Sequence, residues 1–160
     1  MSKKSEMRRM REQTGASTAD RIPTESDWRS EPWDLEIPLA YEHFFGKSKA
    51  EAERLFVDCA LVYQEDLMWM PSVCLRYYIP AYIDYLLSNE SKGDSDGASC
   101  FFGFVKSRHK DILTFGEHTQ SRTKAVLGRL ATSQHWFEAS VEIYGDFNDR
   151  ADEALALLHE

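Results

Sequence analysis

Three residues with metal-ligand chemistry, His135, Glu138 and Glu142, recur at intervals of three and four. In one helix they would share a face, the arrangement used by carboxylate-bridged di-metal sites. The Glu-x-x-His order of such sites is absent, no matching set occurs on a second helix, and this face lies opposite the apolar stripe. The trio therefore reads as solvated acidic surface. Two calcium-loop lookalikes fail on position: in GDFNDRADE, Arg150 stands where a ligand is needed, and in KGDSDG the first ligand position is Lys92.

Nucleophilic catalysis fares no better. The chain holds no GxSxG elbow, no cysteine beside a histidine and no Gly-rich phosphate loop. Its histidines, at 43, 109, 118, 135 and 159, are scattered. A site assembled from distant residues stays open, because triads are spatial rather than sequential. The basic run Lys106, Arg108, His109 and Lys110 has the charge to meet phosphates, but in an acidic body it reads as one charged helix face. Neither a metal nor a cofactor is expected.

Three charges sit where apolar residues dominate. Asp66 falls on the apolar side of one expected helix, and Arg76 and Asp84 are the charges within the next. A buried carboxylate must be paired or protonated. Arg76 is the expected partner of Asp66 or Asp84, with exposure of Asp66 at a frayed helix end as the alternative.

The elements that carry these residues follow from composition. At 160 residues the chain is about one domain, long enough for a core without disulfide or metal staples. Cys59, Cys74 and Cys100 are odd in number, have no CxxC spacing and lie among apolar neighbours, so they read as reduced core thiols in a cytoplasmic protein. Residues 1–26 carry six Lys/Arg against four Asp/Glu, a charge of +2 in a chain of −8, and have few apolar side chains. They read as a disordered basic arm, without the apolar run of a signal peptide, preceding one domain over 27–160. A body at −10 repels nucleic acid.

The stretch QEDLMWMPSVCLRYYIPAYIDYLL (64–87) is apolar enough to raise a membrane span, but Arg76, Asp84, Pro71, Pro80 and four tyrosines exclude it. It resolves into two helices. Ser48 and Glu51 form a capping box that starts a helix over about 49–68, with Leu55, Phe56, Cys59, Val62, Tyr63 and Leu67 inward and Glu51, Arg54, Asp58 and Glu65 outward. From Pro71 to Leu87 the pattern is apolar nearly all round, which marks a central core helix kinked at Pro80.

Residues 88–99 read as a loop, 100–115 as a helix whose first half could be a strand, and 119–144 as one helix or two broken near Thr132. A last helix is capped by Asn148 or Asp149. Residues 27–45 read as an extended strap, because Pro32 and Pro38 disfavour helix before each. The whole is an all-α, single-domain bundle of about five helices with a Pro-kinked central helix.

The string FFGKSKAEAERLF…YQEDLMWMPSVCLRYYIPAYIDYLL, within residues 41–87, resembles a group of small bacterial proteins of unknown function. In general character, without a shared motif, the chain is similar to bacterial toxin-immunity proteins. That likeness implies a non-catalytic inhibitor whose acidic, aromatic surface meets a basic toxin domain. The expected contact residues are the acidic stripe Glu51, Asp58 and Glu65 and the aromatics Trp28, Trp33, Trp69 and Trp136, with a protein rather than a membrane or nucleic acid as partner. A small α-helical enzyme and a regulatory adaptor are the alternatives.

Overall fold

A computed structural model describes residues 20–159, and every regular element among them is helical. A one-turn helix α1 (Glu25–Trp28) and α2 (Ile37–Phe44) lead into α3 (Lys49–Trp69) and α4 (Ser72–Leu87). A 3-10 turn at Asn89–Ser91 precedes α5 (Ser95–Thr114), followed by α6 (Glu117–Thr132), the one-turn α7 (Val141–Tyr144) and α8 (Phe147–Leu157). Helices α3, α4 and α5 pack on one another, α6 and α8 pack together over α4 and α5, and α2 and α1 cover α3 and α4 from the other side. One hydrophobic core unites them. None of the helices described is long and apolar enough to cross a membrane.

The helices outnumber the expected five because polar segments nucleate short turns of their own. The strap of residues 27–45 is helical over Ile37–Phe44, with Pro38 in the first turn, where a missing N–H leaves no intrahelical bond unmade. Upstream, Thr24 and Asp27 form a capping box around α1. The expected basic arm lies outside the described residues as far as residue 19. Asp94 caps α5 by accepting from the Gly97 N–H at 2.9 Å, so part of the expected 88–99 loop is helix. Asp146, two residues before the nearer of the expected caps, caps α8.

Helix α4 is the centre of the core: ten of its sixteen residues are buried, and it runs through Pro80 as one helix. A backbone departure falls at Cys59 in α3, where φ is −163° and ψ is 85°. Ala52, Phe56, Ala60, Gln64 and Leu67 face inward on both sides of it, while Cys59 and Val62, expected inside, are exposed. The inward positions keep intervals of three and four throughout, so α3 has one buried face, centred on Phe56, Ala60 and Gln64 rather than on Cys59 and Val62.

Tyrosines give α4 its fixed position. Tyr78 Oη donates to the carbonyls of Phe44 and Lys47, both at 2.8 Å, Tyr82 Oη to the Gly97 carbonyl at 2.5 Å, and Tyr85 Oη to the Asp94 carboxylate at 2.5 Å. Tyr78 thus ties α4 to the end of α2, and Tyr82 and Tyr85 tie it to the start of α5, which satisfies hydroxyls that burial would otherwise penalise. Tyr82 is also stacked on Phe56 of α3, with ring centroids 4.8 Å apart.

The turn between α3 and α4 depends on α5. Arg108 is only 8% exposed, and its Nη1 donates to the carbonyls of Leu67, Met68 and Met70 at 3.1, 3.1 and 2.8 Å. Its Nε donates to Asp111 at 2.7 Å, and the same carboxylate accepts from Ser72 Oγ at 2.6 Å. The terminal carbonyls of a helix have no partners within it, so this one guanidinium satisfies the end of α3 and, through Asp111, anchors the start of α4. The basic run at 106–110 is therefore not one exposed face: Arg108 points inward, in phase with Phe101, Phe104, Val105 and Ile112.

Replacing Arg108 with methionine leaves those carbonyls and Asp111 without their donor. The expected loss is about 3 kcal/mol, the scale of breaking a buried charged contact. Urea denaturation monitored by circular dichroism checks it, and a midpoint equal to that of the original chain refutes the role assigned to Arg108.

Candidate functional site

The acidic and aromatic residues expected at a contact surface separate into distinct places. Glu51 is committed to the helix cap: its carboxylate accepts from the Ser48 backbone N–H at 3.2 Å, and that bond holds it below the usual glutamate range. Asp58 and Glu65 stand exposed on α3. Trp28 is wholly buried, its ring edge-on to Tyr41 at 5.6 Å. Trp33 is half-buried, donating from Nε1 to the Trp28 carbonyl at 2.8 Å beneath the Arg29 guanidinium. Trp136 is half-buried under Arg129, 4.5 Å from the ring centroid. Of the four, Trp69 is the one that stands exposed, at 44%.

Trp69 does not stand alone. Leu61 and Val62 are 46% and 48% exposed, and with Glu65 and Trp69 they occupy one face of the second half of α3, at intervals of three, four and seven residues. Leu61 and Val62 fall outside the arc of α3 that buries Phe56, Ala60 and Gln64. From Leu55 to Trp69 the sequence contains Asp58, Glu65 and Asp66 and no Lys or Arg. The face is thus apolar and aromatic with acids and no cations of its own, a composition that monomer surfaces rarely leave bare.

Beside this face lies a pairing that spacing alone does not reveal. Asp66, 5% exposed, meets His43 of α2, with Oδ2 2.6 Å from Nδ1. The His43 ring stands edge-on to Tyr63 at 5.2 Å. Burial pushes the Asp66 carboxyl above the usual aspartate range, His43 opposes that through its hydrogen bond and charge, and the neighbouring Glu65 adds to it. The expected partner, Arg76, is elsewhere. Asp84 is held by Arg122 of α6 at 2.6 Å, and Arg76 joins neither carboxylate. One of the three charges was correctly placed in the interior, but partners come from helices 23 and 38 residues away.

A carboxylate that orients an imidazole is two-thirds of a nucleophilic triad. Among the described residues no serine, threonine or cysteine side chain hydrogen-bonds His43, so the pair positions α2 on α3 and offers a base without a nucleophile. The His135, Glu138 and Glu142 trio is also dispersed. Residues 133–140 form turns between α6 and α7, with Glu138 in left-handed backbone at φ 56°, and no metal-binding cluster is found among the described residues. Gln134 closes that segment, donating to the carbonyls of Ala139 and Gly145 and accepting from the Phe147 N–H.

No family model, no curated protein and no solved structure matches the chain.

The raised carboxyl of Asp66 fixes a sign for pH dependence. A group more basic in the folded state favours folding fully below its unfolded value, 3.8, and that contribution is lost as pH rises through the folded value. Relative to the original chain, Asp66→Asn is therefore expected to gain stability as pH rises above 3.8 and to show a constant difference below it. Paired urea titrations across this range test the point; a difference that moves the other way, toward the original chain, refutes the burial-dominated reading over one dominated by the His43 charge.

Proposed function

We propose that this chain is a non-catalytic protein-binding module that docks a basic protein surface on the second half of α3. The observation that carries the reading is the exposed set Leu61, Val62, Glu65 and Trp69 on one helix face, in a fifteen-residue stretch (Leu55–Trp69) free of cations. Interface energy concentrates in aromatic side chains surrounded by contacts that exclude water, and Trp69, one turn beyond Glu65 and two beyond the aliphatic pair, is the aromatic of this face. Acids at the rim steer a cationic partner and make association depend on salt. The narrower form of the proposal is an immunity or antitoxin-type inhibitor neutralising a basic toxin domain. Its support is the chain's net charge of −8 and this face; the resemblance over residues 41–87 supplies no function.

A second reading, a small α-helical enzyme, draws on the His43–Asp66 pair alone. The two are separable. A binding module loses its partner through Trp69 and keeps it through His43, whereas an enzyme loses turnover through His43.

The partner is sought by capture from lysate at low and high salt, and the captured protein is then titrated as a purified species. Trp69→Ser is expected to weaken binding at least about tenfold while leaving the thermal midpoint unchanged, because truncation of an interface aromatic costs about 2 kcal/mol or more. Glu65→Lys is expected to slow association. Binding that survives both substitutions removes this face from the interface.

A further inference from the structure

The acidic chain contains a cleft whose lining is net cationic, and it lies away from α3's exposed face. It has a volume of about 450 Å³ and is formed where α4 and α6 meet the start of α3. Lys49, Arg76 and Arg122 contribute three fixed positive charges, and His118 stands beside them, against Asp84 and Asp20. Asp84 is already bound to Arg122 at 2.6 Å, which holds the Arg122 fork in place. Lys49 leans on the Tyr77 ring, 5.0 Å from its centroid, a contact that orients the ammonium without neutralising it.

Arg76 is the telling member. Its Nε is buried and has no hydrogen-bond partner among the described residues. A buried donor left unmade is costly and rare in native interiors. Arginine's planar fork matches a carboxylate or phosphate, and Arg76 lines the cleft with the part of its side chain outside the buried Nε. The apolar part of the lining is made by Pro80 and Ile83, on the same face of α4 as Arg76, and by Phe115. Pro80 has no N–H to give the carbonyl of Arg76, so α4 also lacks one internal bond at this point.

We propose that this cleft binds a small organic anion, its carboxylate or phosphate held by Arg76 and Lys49 and its apolar body lying against Pro80, Ile83 and Phe115. Charge selects the ligand class. Two cations that no carboxylate among the described residues bridges face the cleft, so a neutral molecule leaves them unanswered and a bare inorganic anion leaves the apolar wall wet.

The full chain, labelled with ¹⁵N, is titrated with phenyl phosphate, benzoate, inorganic phosphate and benzyl alcohol. Saturable shifts confined to α4 and α6 residues around Arg76, Pro80 and Arg122 are expected with phenyl phosphate or benzoate, weaker binding with inorganic phosphate, and none with benzyl alcohol. Which of the two aromatic anions binds more tightly assigns the head group. Arg76→Met and Lys49→Met are each expected to weaken binding about tenfold, the cost of one charge-assisted contact. Arg76→Lys, which keeps the charge and the fold, is expected to retain part of it. Trp69→Ser is expected to change nothing, so failure here is distinct from failure at the α3 face. The proposal is overturned if neither aromatic anion saturates, if benzyl alcohol or inorganic phosphate binds as well, or if both methionine variants bind undiminished.

Discussion

The guanidinium of Arg108 is the constraint on which the arrangement of α3, α4 and α5 depends. A helix ends with carbonyls that nothing within it can satisfy, and a buried helix end cannot leave them to water. Here Leu67, Met68 and Met70 present three such carbonyls at the turn into the core helix, and Arg108 answers all three while Asp111 balances its charge. With that turn fixed, α4 lies across the centre of the molecule, and its tyrosine hydroxyls reach the end of α2 and the start of α5. The Gly97 contact shows how close α3 and α5 must come: a Cβ there would meet the Asp94 carboxylate and stand 2.9 Å from the Ala60 methyl. Glycine at this position is required by proximity, not by backbone conformation.

Charge is distributed unevenly over this scaffold. The outer face of α3's second half carries acids and apolar side chains, whereas the cleft between α4 and α6 collects cations that the acidic chain does not neutralise from within. Both follow from local geometry. Leu61 and Val62 lie on α3 away from the buried face of Ala60, Gln64 and Leu67, and Pro80 sits on the side of α4 that borders the cleft.

Much of the helical order was legible in the sequence, and the reasons are local. The Ser48–Glu51 capping box, the all-round apolar pattern of 72–87 and the phase of Phe101, Phe104, Val105 and Ile112 are each set by residues a few positions apart. What escaped is what depends on distant partners. Arg108 shares the phase of the apolar residues around it, so its position on the wheel already pointed inward, but its neighbours Lys106, His109 and Lys110 made it look like part of a solvated run. Asp66 was legible as a carboxylate on the apolar side, yet nothing local distinguishes His43 from Arg76 as its partner. The four tryptophans show the same limit: residue type says nothing of whether Trp28 or Trp69 faces water, because core and interface draw on the same side chains.

The reach of Arg108 also bears on the order in which the chain assembles. The carbonyls it binds lie 38 to 41 residues earlier in the chain, so α3 and α4 emerge from synthesis as a hairpin whose turn is still uncapped. Local helix formation is fast, but closing a loop of that length must precede any reward from the contact. The turn of the hairpin is therefore capped only once α5 is in place, and a nascent chain halted before residue 108 carries the most apolar part of the sequence without the side chain that completes it.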